Sequence, residues 1–111
     1  MGKIAWHALA WLTLLGAAVL EVGGDAVVRR GLRGGGALLI AAGCLLLAGY
    51  GLLVNTVPWD FSKLLGVYVA VFAVVSLLCG QVLFKDEIPV SSWIGLALVV
   101  VGGLVIQFGQ K

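Results

Sequence analysis

Hydrophobic positions in this chain come in long runs rather than in alternation, and short clusters of charge, glycine and proline set the runs apart. Such runs are predicted as helices crossing a lipid bilayer, whose hydrocarbon core of about 30 Å takes about 20 apolar residues. Four can be read, at about 4–28, 36–54, 64–84 and 90–108. The expected fold is an all-α membrane protein, a single four-helix transmembrane domain over residues 1–111 with both termini on one side.

The connections fit this reading. Arg29 to Gly35 joins three arginines (Arg29, Arg30, Arg33) to Gly31, Gly34 and Gly35, a flexible polar turn for the headgroup level. Asn55 to Lys63 contains Pro58, Trp59, Asp60 and Phe61, and the two aromatics suit a membrane interface. Lys85 to Pro89 is a tight charged turn. Pro89 is expected in the first turn of the last helix, where its missing N–H is not needed.

Composition narrows the function classes. Of 111 residues, 62% are hydrophobic and 11% charged, against about 25% charged in soluble domains. Once four spans are subtracted there is no room for a soluble catalytic domain, so an enzyme is not expected. The net charge of +2 is scattered over the ends of the apolar runs with no basic stripe, which argues against nucleic-acid binding. Cys44 and Cys79 sit in apolar surroundings and are expected to be unpaired, packed thiols, and no spacing suggests a metal or other cofactor. The first run is too long for a signal peptide and lacks a small-residue cleavage site, so it is expected to be retained. A compact four-span chain of this kind points to a bacterial inner membrane.

Basic residues in short loops set orientation. Lys3, Lys63 and Lys111 fall on the side of the termini, and Arg29, Arg30, Arg33 and Lys85 on the other, three against four. So small a bias allows insertion both ways and pairing of oppositely oriented copies; the other reading is one weakly specified orientation. Four short helices enclose little, so a homodimer is expected. An antiparallel one would supply between chains the inverted symmetry that larger transporters carry within one.

The first run carries Glu21. Ionisable groups inside spans are costly and usually face a protein interior or a water-filled cavity where they handle protons, ions or charged substrate. A glutamate there can hold a proton in one state and a cation in another; the structural alternative is a neutral carboxyl hydrogen-bonded between helices. Asp25 follows at i+4 and Arg29 at i+8, a charge ladder on one helix face. Asp25 either pairs with Arg29 or joins the site. His7 near the start of the same helix is expected to be structural. Tyr68, with Phe72, Ser76 and Gln81 further along the third run, offers an aromatic face for a cation, and packing is the equal alternative. Tyr50, Trp11 and Trp6 are weaker candidates, interface anchoring accounting for the tryptophans. In the fourth run Gly95 and Gly102 stand one heptad apart, and small residues let helices approach closely in lipid. That helix is the expected dimer seam. Gly43, Gly49 and Gly51 similarly thin the second run.

These residues together resemble the small multidrug resistance transporters of the drug/metabolite transporter superfamily. The likeness covers nearly the whole chain: four spans, Glu21-Val22-Gly23, the aromatic Tyr68 early in the third span, the charged turn Lys85-Asp86-Glu87, and the Gly95 to Gly102 spacing. Asp25, the Gly66-Val67-Tyr68 context and the Pro58-Trp59-Asp60-Phe61 connection depart from the drug exporters, and Lys63 to Tyr68 looks closer to a less-characterised third branch. The resemblance implies an antiparallel dimer whose paired Glu21 side chains bind protons and a cationic substrate in turn, with Tyr68 in the substrate site and Gly95 and Gly102 at the contact of the fourth helices.

The expected function is therefore proton-coupled antiport, exporting small organic cations (quaternary ammonium, guanidinium or polyamine-like) by alternating access. The expected partners are substrate, protons, membrane lipid and a second copy. A subunit of a lipid-carrier flippase and a non-transporting membrane interaction protein are the alternatives.

Overall fold

A computed structural model describes residues 2–109, with side chains from His7 onward. Lys111 and the side chains of Lys3 and Trp6, which entered the sequence reading, lie outside the described residues. The architecture is all-helical: α1 Gly2–Arg30, α2 Ala37–Val54, α3 Phe61–Leu83 and α4 Val90–Phe108. All four are long and apolar enough to cross a membrane. The shortest, α2, has 18 residues, about 27 Å of helix at a rise of about 1.5 Å per residue, close to the hydrocarbon thickness of about 30 Å. Large apolar side chains such as Leu12, Leu38, Leu45, Leu52, Val82 and Leu98 are exposed on the helices, the coat that suits lipid as solvent.

The chain divides into two helical hairpins, one ending at Pro58 and the other beginning at Trp59. In the first, α1 stays helical through Arg30, and Gly31–Gly35 forms a wide turn closed by the Gly36 N–H donating to the Gly31 carbonyl at 3.1 Å. Gly34 (φ 108°) and Gly36 (φ 98°) take the backbone through conformations that side-chain-bearing residues rarely adopt. α2 then returns antiparallel to α1. Its register is set by glycines: a Cβ on Gly43 would lie 2.5 Å from Val28 Cγ2 and 2.8 Å from the Gly24 carbonyl oxygen, and one on Gly24 would lie 2.9 Å from Leu47 Cγ. From that contact toward the start of α1, Leu20 lies beside Gly49 and Gly16 beside Leu53. Lipid offers no hydrophobic drive between helices, so this close approach is what association rests on.

In the second hairpin, Gly66 lies under Ile106 and Gly103 against the Ala70 Cβ, which brings α3 and α4 together antiparallel. Leu64, Val67, Tyr68 and Val75 are buried. α3 starts at Phe61, earlier than hydrophobicity indicates, because Ser62 and Lys63 occupy its polar first turn after Asp60. The charged turn folds back on the helix end: the Gly80 carbonyl accepts from the N–H groups of both Phe84 and Asp86, each at 3.1 Å. Lys85 takes a positive φ of 56° there. Pro89 sits just before α4, its carbonyl accepting from the Ser92 N–H at 3.0 Å.

Candidate cation and proton site

Glu21 lies nine residues before the end of α1, about 14 Å of helix at about 1.5 Å per residue, well inside a span. Ala17, Ala18 and Leu14, at i−4, i−3 and i−7, share its side of the helix and are fully buried. Glu21 itself is half-buried. Its carboxylate therefore continues a stripe of buried, closely packed positions rather than the exposed apolar coat. Asp25, one turn on, is exposed, as is Arg29 a turn further.

Across the hairpin, the pairing of Leu20 with Gly49 and of Gly24 with Leu47 sets Tyr50 of α2 at the height of Glu21. Tyr50 is half-buried. Glu21 and the Tyr50 phenol thus lie at one height of the first hairpin, with Asp25 a turn further along α1. A phenol can donate to a carboxylate or accept from an ammonium, so this group of three can serve either a proton or a cation.

The other candidates are placed as follows. Tyr68 is buried in the second hairpin with its ring tilted 32° to that of Phe72 at a centroid distance of 6.2 Å. Gly102 is exposed and Gly95 half-exposed, and a Cβ on either would meet nothing within 4 Å. His7 is exposed. Both cysteines are free, but Cys44 is exposed on α2 rather than packed, and Cys79 is half-buried. Lys63 lays its ammonium over the Trp59 ring, 4.7 Å from the centroid, an interfacial cation–π contact.

Comparison with known proteins bears on the membrane assignment. The family described as "Uncharacterised BCR, YnfA/UPF0060 family" matches residues 8–111. The chain belongs to this family. Among curated proteins, the UPF0060 membrane protein sll0793 of Synechocystis sp. (strain ATCC 27184 / PCC 6803 / Kazusa) is 26% identical over 96 residues, covering 86% of this chain and 89% of that protein. No solved structure matches. With four helices fit to span, this YnfA/UPF0060 chain is a multi-pass membrane protein.

Some polar residues of this YnfA/UPF0060 chain acquire meaning only in three dimensions. Tyr50 joins Glu21 through helix register, which no local pattern announces. Thr13 and Thr56, far apart in sequence, line one cavity. Gln107, near the end of α4, is buried with its Oε1 unpaired among the described residues; a lone polar residue in an apolar run was its only signal.

Proposed function

We propose that this YnfA/UPF0060 protein is a proton-coupled antiporter that exports small organic cations across a bacterial inner membrane, in the manner of the small multidrug resistance transporters it resembles. The observation that carries the reading is the position of Glu21: a carboxylate inside a span, on a buried stripe of α1, level with Tyr50 and one turn from Asp25. A carboxylate left ionised and unpaired at that depth is expensive, so the site reorients with either a proton or a cation bound. Proton and cation compete for one charge, and that competition couples their movements in opposite directions. The resemblance to those transporters assigns Tyr68 the aromatic contact with the cation, and the α4 faces bearing Gly95 and Gly102 the contact between two copies.

The test is proton release. Purified protein in weakly buffered detergent is mixed with quaternary ammonium, guanidinium and polyamine compounds, wild type beside Glu21→Gln. Wild type is expected to release protons on binding at least one class, and Glu21→Gln to release none. No release from any compound overturns the exchanger and favours a lipid-carrier flippase subunit or a non-transporting role.

A further inference from the structure

Between the first half of α1 and the chain leaving α2 lies a partly open cavity of about 70 Å³, lined by Leu9, Ala10, Thr13, Thr56, Val57 and Pro58. A water's share of liquid volume is about 30 Å³, so the space suits a headgroup of a few heavy atoms. What that headgroup must be follows from the hydrogen-bond inventory of the walls. Thr13 donates its hydroxyl hydrogen to the Leu9 carbonyl at 2.8 Å, and Thr56 donates its own to the Leu53 carbonyl at 2.6 Å. A hydroxyl has one hydrogen, so both threonines have only lone pairs left to offer. The Thr56 and Val57 N–H groups donate to the Leu53 and Val54 carbonyls at 3.1 and 3.4 Å. Pro58 has no N–H, and the amides of Leu9, Ala10 and Thr13 lie inside α1, where they serve the helix.

Every donor on the wall is therefore committed, and the polar lining consists of acceptors alone. The cavity also sits at the C-terminal end of α2, where aligned peptide dipoles amount to roughly half a negative charge. Acceptors, negative potential and apolar walls together select a small cation that brings its own N–H donors. Guanidinium and primary alkylammonium groups qualify; a quaternary ammonium has no hydrogen to give.

Thr13, Ala17 and Glu21 stand at i, i+4 and i+8 of α1, so the cavity lies on the helix side that bears Glu21, about 12 Å away at about 1.5 Å per residue. We infer that the Thr13–Thr56 cavity is an access subsite that selects N–H-bearing organic cations on their way to Glu21. The destination rests on the exchanger reading; the binding itself does not.

The experiment is an NMR titration of the full chain, labelled on its amides, with guanidinium and separately with tetramethylammonium. Guanidinium is expected to shift the Thr13, Thr56 and Val57 amides, and tetramethylammonium to leave them in place. Thr56→Val, which keeps the shape and removes the acceptor, should weaken guanidinium binding at these amides about tenfold, the scale of one hydrogen bond to a charged group. Thr56→Ser should restore it, which separates loss of the acceptor from loss of the fold. Guanidinium shifts should also persist in Glu21→Gln, so failure of the exchanger leaves this result standing. Equal response to both cations, no response to either, or a Thr56→Val chain that binds guanidinium as wild type does would overturn the inference.

Discussion

At the level of single residues, Tyr50 is the group whose role can be separated from the fold. Its ring is half-buried at the height of Glu21, and only its hydroxyl can hydrogen-bond a carboxylate or a cation. Tyr50→Phe keeps the ring and its packing, so helical content by circular dichroism should not change. The apparent affinity for the exported cation should fall about three- to tenfold, the span of one net hydrogen bond, while Glu21-dependent proton release survives at saturating cation. An affinity equal to wild type would remove Tyr50 from the site. Glu21 was legible in the sequence because a carboxylate in an apolar run violates the local pattern. Tyr50 was only a weak candidate, since tyrosine in a span is unremarkable until the register of α1 on α2 is known, and that register depends on the missing Cβ of Gly43.

Among the elements, the first hairpin shows which glycines matter. The second apolar run is thinned by Gly43, Gly49 and Gly51, and sequence treats the three alike. Their surroundings do not: a Cβ on Gly43 would come within 2.5–2.8 Å of Val28 and the Gly24 carbonyl, on Gly49 it would make ordinary contact at 3.9 Å with Leu20, and on Gly51 it would meet nothing. Gly43→Ala must push α1 and α2 apart at their closest point and should cost about 1–3 kcal/mol, the range of overpacking. Gly51→Ala should be neutral or slightly stabilising, given alanine's higher helix propensity. Unfolding in a graded detergent mixture, followed by circular dichroism, orders the two; equal stabilities would mean that the hairpin does not depend on this close approach. Helix existence was readable from apolar run length, whereas helix ends were not. The start of α3 at Phe61 lies in a polar turn that hydropathy assigns to the loop, and α1 carries Arg29 and Arg30 inside its last turn because nothing breaks the helix before the glycines.

For the whole molecule, the question is how two copies meet, and α4 gives the means to answer it. Its adjacent glycines point different ways: Gly103 is spent inside the hairpin against Ala70, whereas Gly102 and Gly95 face open space. The heptad spacing of small residues singles out the outward pair and passes over Gly103, because separating them requires knowing which side of α4 meets α3. On the proposed dimer, two α4 helices cross about midway between Gly95 and Gly102. In an antiparallel pair, Gly95 of one copy then faces Gly102 of the other; in a parallel pair, each residue faces itself. Replacing Cys44 and Cys79 with alanine gives a background without thiols, into which Gly95→Cys and Gly102→Cys are placed on separate, differently tagged chains and co-expressed. The three-to-four balance of basic residues sets no strong orientation, so both insertions should be populated. The expected product of oxidation is the mixed 95–102 cross-link, in clear excess over 95–95 and 102–102. Excess of the like pairs would make the dimer parallel and remove the inverted symmetry from the transport cycle, and no cross-link of any kind would place the seam on another helix.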